Sequence, residues 1–400
     1  MLDAYIYDGL RTPFGRLAGA IAKIRPDDLL AGTIRAVVAR SPFKPESITD
    51  VIVGCANQAG EDSRCVARHA ALLAGLPVEI PGSVVQRNCG SGLGAIVNAA
   101  HAITCGEADV IVAGGVESMS RAPFVVAKAE APFSRDFTVF DSAVGSRFPN
   151  PKIAKQYGDD PMPKTADNLA VEYQISREDC DRYAYRSQSR YAAAKKDGFF
   201  TGEIHPVIIP GGKRQPDVTV ADDEFPKPDT SPEKLAVLRA LNDGGVTTAG
   251  NASGINDGAV AVVLAGRKAG EAVGAKPIAR VVASAVAGVP PRIMGIGPVP
   301  AAKKALDRAG LKLSDMDVVE INEAFAAQVL ACLKALGLPF DDARVNPNGG
   351  AIAVGHPLGA SGPRLALTAV RQLQRTGGRY ALVSLCVGIG QGIAAVIERA

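Results

Sequence analysis

QRNCGSGLGAIVNAAHAITC, residues 86–105, decides how the rest of the chain is read. A cysteine is followed by two close glycines, then by a run with hardly a polar side chain. Leu93, Ile96, Val97, Ala100 and Ile103 keep helical spacing, and Ala95, Ala99 and Ala102 fill the opposite side. A helix that is apolar all round is buried. Cys89 is therefore placed where a loop enters the N-terminus of an internal helix. Free N–H groups and the dipole at that end favour an anion, which predicts a lowered thiol pKa and a nucleophile. A small buried cysteine packing as a hydrophobe explains the position equally well when the stretch is read alone.

Outward from this stretch, strands alternate with helices. Ala4–Tyr7, Val51–Gly54, Ser83–Gln86 and Ala108–Ala113 read as strands, the last ended by the glycine pair of GGVESMS. Pro26–Val38 and Ser63–Leu73 read as helices. From Arg121 to about Val246 proline becomes denser and strand signals fade. Within it, Asn168–Lys196 reads as helical with Ser176 as an N-cap, and Val207–Leu235 as a surface excursion. An insertion beside a layered core often covers an active site, although passive decoration would look the same.

The layered pattern resumes with strand AVAVVLAG at 259–266. Strand Ile278–Ala283, helix Val299–Ala309, strand Val318–Ile321 and helix Ala324–Ala335 follow. GSGLGAIVNAAHAITCGEADVIVAGGVES and GASGPRLALTAVRQLQRTGGRYALVSLCVGIG share one order: glycine turn, helix, glycine, strand, glycine turn. Two related α/β halves with their loops converging on one site are expected. The divisions are 1–120 with 247–270, an inserted loop domain at 121–246, and 271–400.

Four hundred residues exceed what one core usually fills. The chain is 47% hydrophobic and 21% charged with a formal net charge of +3, and no basic block points to nucleic acid. Its seven cysteines are irregularly spaced without CxxC, which argues for a reducing compartment and against a disulfide framework or zinc. The first residues, MLDAYIYDGLRTPFGR, lack the features of a signal peptide. The apolar segment from Ala381 to Ile397 is divided by Gly388, Gly390 and Gly392, so it reads as strand–turn–strand rather than a membrane span. A cytosolic protein without metal is expected. The GxGxG of CVGIGQG lacks the helix and acidic residue of a dinucleotide site, which excludes NAD.

Four glycine-rich blocks carry the reactive groups: NCGSG at 88–92, NEAFA at 322–326, GGAIAVGHPLGASG at 349–362 and CVGIGQG at 386–392. In this order and spacing they resemble the signature blocks of the thiolase family. The likeness covers essentially the whole chain, including RTPFGR near the start, GGVESMSRAP at 114–123 and AGNASGINDGA at 249–259. It implies a layered αβαβα architecture of two related halves, each with a mixed sheet, plus the inserted loop domain. It also implies acyl transfer between CoA thioesters, with coenzyme A as substrate and no resident cofactor, in a homotetramer.

The resemblance gives each residue a role. Cys89 supplies the thiolate that attacks the ketone of a 3-oxoacyl-CoA. His356 takes its proton, as a neutral imidazole can. Cys386 exchanges a proton with the acetyl-CoA enolate. One oxyanion hole combines His356 with a water held by Asn322, and the other the N–H groups of Cys89 and Gly388. Such donors are typically worth roughly 3–4 kcal/mol each. Asn322 alone would also serve as a helix N-cap, and Glu323 orders its surroundings. Ser253 is implied near the pantetheine arm, Met162 near the acyl group and Lys227 near the nucleotide phosphates, where a solvated surface lysine is the plainer reading. Cys55, Cys65, Cys105, Cys180 and Cys332 are assigned to packing.

Two further features bear on the substrate. Pro161 stands before TADN, 165–168, where acetoacetyl-CoA thiolases commonly carry a histidine, and residues 54–77 resemble the 3-oxoadipyl-CoA thiolases. A substrate with a free carboxylate calls for a cation, and Arg64, Arg68 and Lys164 are the candidates. A condensing ketosynthase would lack CVGIGQG. A non-catalytic CoA-binding subunit would be missing a catalytic group, and none is missing here.

Overall fold

The structure, a computed structural model, describes residues 2–212 and 215–400. The first part contains β1 (Ala4–Arg11), β2 (Gly15–Arg16), α1 (Pro26–Arg40), β3 (Asp50–Gly54), α2 (Val66–Leu73), β4 (Gly82–Val85), α3 (Ser91–Cys105) and β5 (Val110–Ser118). The middle contains β6 (Phe124–Val126), β7 (Val139–Asp141), α4 (Pro151–Tyr157), α5 (Met162–Glu172), α6 (Arg177–Lys196), β8 (Val207–Ile209), β9 (Val218–Val220) and α7 (Pro232–Ala236). Then come β10 (Asn256–Ala265), α8 (Arg267–Ala272), β11 (Ala279–Gly288), α9 (Pro298–Ala309) and β12 (Val318–Ile321). The chain closes with α10 (Ala326–Leu336), α11 (Ala351–Val354), α12 (Leu358–Thr376), β13 (Tyr380–Val387) and β14 (Gln391–Arg399).

Ten strands form one sheet in the order β12-β13-β14-β11-β1-β10-β5-β3-β4, with β2 beside β10. Outward from the β1–β11 pair both wings follow one plan. β1, β10 and β5 are successively antiparallel and β3 is parallel to β5. β11, β14 and β13 are successively antiparallel and β12 is parallel to β13. This repeats the internal likeness of the sequence, with one difference. The two mixed sheets are not separate, because β1 and β11 pair antiparallel through Ala4↔Val281, Tyr5↔Arg280 and Ile6↔Ala279.

Alternate residues of each strand face different layers. In β5, Val110, Val112 and Val116 share a cluster with Leu30 and Ile34 of α1, while Ile111 and Ala113 share one with Ile96 and Ala100 of α3. In β13, Leu382 clusters with Ala302 of α9 and Leu330 of α10, while Val383 and Leu385 cluster with Ala366 and Val370 of α12. Helices α3 and α12 thus lie together between the two wings, giving the αβαβα order. Strands covered on both faces need continuous apolar runs, and every residue of β5 and β10 is buried.

Three local expectations are corrected. β5 does not stop at its glycine pair. It runs through to Ser118, and glycine is needed inside it because the first turn of α12 comes so close that a Cβ on Gly115 would lie 1.8 Å from the Gly359 carbonyl oxygen. The helix expected over 168–196 is two helices, broken where Gln174 takes a φ of 52°. Ser176 caps the second in a reciprocal box with Asp179. The helix expected from Ser63 begins at Val66, since Arg64 and Cys65 are both left-handed. The inserted region is anchored by the wholly buried Arg11, whose Nε lies 2.6 Å from Glu203 and whose Nη1 lies 2.6 Å from Asp223.

Candidate active site

Cys89 occupies the turn between β4 and α3 and is partly accessible. Its own N–H and that of Gly388, from the turn after β13, both donate toward its sulfur. Even so, burial outweighs these donors and pushes the thiol up to about 11. The lowered value expected from the helix N-terminus is therefore corrected to a raised one. At the entry to α3, Gly90 donates to Arg87 O at 2.9 Å and Ser91 to Asn88 O at 3.0 Å.

Gly388 brings the far wing to Cys89. Its carbonyl accepts a bond from Asn88 Nδ2 at 3.2 Å, and Gln86 Nε2 holds the Asn88 amide at 3.1 Å. A Cβ on Gly388 would meet only Asn88 Nδ2 at 3.5 Å and Met162 Sδ at 4.0 Å. Protein packing therefore leaves open space at this glycine. Cys386, two residues earlier on β13, is buried, which pushes its thiol far up, and the nearby Cys89 sulfur adds to the rise.

His356 sits between α11 and α12, with 5% of its surface exposed. Its backbone N–H donates to Asn256 Oδ1 at 2.9 Å, and Asn256 Nδ2 donates to Gly15 O at 2.9 Å. Nδ1 lies 2.6 Å from Ser361 Oγ. Asn322 Nδ2 is 3.3 Å from Nε2 and 3.4 Å from Nδ1. Burial first, then the positive Arg364, pushes the imidazole down to about 3, so it is neutral.

Asn322 is wholly buried and its Oδ1 has no partner among the described residues. It does not cap the following helix, which begins at Ala326 after Phe325. Glu323 accepts from Tyr183 (3.0 Å), Asn346 Nδ2 (2.9 Å), Ser187 (2.6 Å) and the Ile352 N–H (3.1 Å). It thereby ties α6, the NEAFA block and α11 together.

The remaining candidates separate. Met162 opens α5 above Gly388, 40% exposed. Ser253 lies beside the NEAFA block, its N–H donating to Ala324 O at 2.9 Å. Lys227 is exposed, with Nζ 5.4 Å from the Phe225 ring centre and the backbone N–H on Gln188 Oε1 at 2.9 Å. Arg68 is spent on the carbonyls of Ile80 and Val78, which removes it as a partner for a substrate carboxylate. Arg64 lines a surface cavity with Arg25, His69 and Arg121. Lys164 is half-buried on α5, one turn from Asp160.

Sequence reasoning passed over Glu117. Its carboxylate accepts N–H bonds from Ala56 (3.0 Å), Asn57 (2.9 Å) and Gly359 (2.8 Å), and burial pushes it up to about 7. With Cys55 and Asp62 it forms the one described group whose ligand atoms lie within 4.8 Å of each other. Three N–H donors already occupy the carboxylate, so its chemistry is that of a backbone clamp rather than a metal ligand. Ser361 and Asn256 were also passed over, although both lie in quoted blocks. A serine five residues after a histidine, in the first turn of a helix, was the available signal.

The thiolase N-terminal domain pattern matches residues 4–268 and the thiolase C-terminal domain pattern matches residues 275–399. The chain belongs to the thiolase family. It is 56% identical to a beta-ketoadipyl-CoA thiolase of Acinetobacter baylyi, covering 100% of both chains. It is 54% identical to the 3-oxoadipyl-CoA/3-oxo-5,6-dehydrosuberyl-CoA thiolase of Escherichia coli K12, again over 100% of both. The crystal structure of the Bacillus anthracis acetyl-CoA acetyltransferase superposes with a TM-score of 0.93 at 37% identity, covering 100% of this chain and 99% of that one. This thiolase is thus an acyltransferase acting on CoA thioesters. No helix among its described residues is long and apolar enough to cross a membrane.

Proposed function

We propose that this thiolase cleaves 3-oxoadipyl-CoA with CoA, giving acetyl-CoA and a shortened acyl-CoA that keeps the free carboxylate. The observation that carries the reading is full-length identity of 54–56% to relatives named for this substrate, against 37–44% to proteins named acetyl-CoA acetyltransferase. Pro161, in place of a histidine before TADN, supports the same choice.

In this reading His356 takes the Cys89 proton as the sulfur bonds to the ketone carbon. Burial holds the imidazole down and the thiol up, so both partners rest neutral before the substrate arrives. As the sulfur attacks, the charge passes to an oxygen held by the N–H groups of Cys89 and Gly388. The bond between the α and β carbons breaks, and its electron pair leaves as the acetyl-CoA enolate. Asn322, through water, and His356 stabilise that enolate until Cys386 protonates it. The acyl group stays on Cys89 until the CoA thiol displaces it, returning its proton to the enzyme. Met162 and Ser253 border the acyl and pantetheine path, Lys227 meets the nucleotide end, and Arg64 or Lys164 answers the carboxylate. A cytosolic homotetramer belongs to the same reading, and sedimentation tests the assembly.

The test is a thiolysis panel of acetoacetyl-, 3-oxohexanoyl- and 3-oxoadipyl-CoA. The highest kcat/KM is expected for 3-oxoadipyl-CoA, and acetoacetyl-CoA ahead by a large factor would overturn the substrate. Mass spectrometry after brief exposure to acyl-CoA should find the adduct on the Cys89 peptide. Cys89→Ala should remove both adduct and turnover.

A further inference from the structure

We propose that Ser361 is a positioning residue that fixes the tautomer of His356, keeping its proton on Nδ1 so that Nε2 presents a lone pair. The inference rests on the reading of His356 as the base and adds to it the group that makes the base competent.

Ser361 lies in the first turn of α12 and is wholly buried. Its Oγ is 2.6 Å from His356 Nδ1 and 2.7 Å from the Pro357 carbonyl oxygen. At these separations each contact needs a proton between its atoms, since bare lone pairs would repel. A hydroxyl has one proton to give, and a carbonyl has none. The contact with Pro357 must therefore use the serine proton, a back-bond to the i−4 carbonyl that helical serines commonly make. The contact with His356 must then use a proton on Nδ1. The opposite assignment leaves Oγ and the Pro357 oxygen facing each other with nothing between them.

Asn322 Nδ2 stands 3.3 Å from Nε2 and 3.4 Å from Nδ1, so it touches the ring without choosing between the two nitrogens. The neutral ring has a single N–H to place, and the Ser361 contact assigns it to Nδ1. The Asn256 side chain holds the histidine backbone N–H at 2.9 Å, so the ring is gripped at its root as well.

The consequence is catalytic. In the other tautomer Nε2 would carry a proton and could not take one from a thiol. Loss of a group that orients a metal-bound histidine typically costs about 10–100-fold, and a similar factor is taken for this one. Ser361→Ala is therefore expected to lower kcat by about that factor with KM little changed, and Ser361→Thr, which keeps the hydroxyl, to recover most of it.

Solid-state 15N spectra of ring-labelled histidine test the proposal directly. The chain has only four histidines, and His356→Gln identifies the resonance of interest. The wild type should show His356 protonated on Nδ1 alone, and Ser361→Ala should show a mixture or the Nε2–H form. A wild-type ring protonated on Nε2 would overturn the proposal. So would a Ser361→Ala protein whose tautomer and kcat are both unchanged. If His356→Gln keeps its turnover, the reading of His356 as base fails instead, while the wild-type spectrum still decides the role of Ser361.

Discussion

Glu117 and Cys386 stand at the same place in the two wings, and they do opposite things. Each is the penultimate residue of the strand that follows a central helix, β5 after α3 and β13 after α12. Each is paired across the sheet with a glycine, Glu117 with Gly258 and Cys386 with Gly392. Glu117 is locked by three backbone donors, one of them Gly359 from the other wing. Cys386 carries a thiol close to the Cys89 sulfur, and the turn behind it sends the Gly388 N–H to that sulfur. Each wing therefore braces the loop of the other, but only one strand end is left with a proton free to move. The duplicated frame supplies symmetry of position. The chemistry comes from breaking that symmetry.

The comparison is broken most strongly at Cys386. Cys386→Ala should reduce turnover by about 10²–10⁴-fold, the usual worth of a positioned acid–base group, with only a small loss of thermal stability. Glu117→Ala should show the reverse emphasis. It orphans three buried N–H groups, each costing about 1–3 kcal/mol, so a loss of roughly 3 kcal/mol or more is expected in denaturant unfolding.

The pH dependence of stability sharpens the contrast with the buried His356. Its folded pKa is depressed from 6.5 to about 3, so the unfolded chain binds the extra proton between those values. Stability from this group is present above 6.5 and lost as pH falls, by about 1.4 kcal/mol per unit. Glu117, raised from 4.5 to about 7, works the other way. The folded state holds its proton in that window, so its contribution is full below 4.5 and lost as pH rises through 7. Unfolding at pH 6.5 and pH 5 should therefore show His356→Asn losing about 2 kcal/mol less than wild type, and Glu117→Gln losing more.

The smallest expected effect lies in the turn after Cys386. Ile389 is β-branched, two-thirds exposed, and holds a φ of 65°. That conformation costs a β-branched residue about 1–3 kcal/mol, offset in part by the entropy a glycine would lose. Ile389→Gly should raise stability by about 1 kcal/mol, read as a higher unfolding midpoint.

The frame was readable because strands covered on both faces must be apolar throughout, as in VIVAGGVES and NDGAVAVVLA. The misses share a cause. The glycine pair in β5 looked like a stop because the close approach of Gly359 has no trace in the local sequence. Arg68 looked available because the carbonyls of Val78 and Ile80 that bind it lie outside its helix. The lowered Cys89 pKa was expected from the helix end, whereas burial of the thiol outweighs the N–H groups that reach it. Cys89, His356 and Cys386 could be named from their motif blocks. Two of the groups that hold the site, Glu117 and Asn256, could not, because serving as an acceptor for a distant backbone leaves no spacing pattern, whereas Ser361 left only its place five residues after the histidine.

The seam between β1 and β11 carries a consequence for biosynthesis. Residues 4–11 leave the ribosome well before their neighbours on either side, residues 260–265 and 279–281. The innermost ribbon of the sheet must therefore wait, unpaired, until those residues have been translated, and such long-range closure makes folding slow. During that interval a mostly apolar octapeptide is open to misassociation, so a nascent chain of this protein has particular need of a chaperone to shelter its first strand.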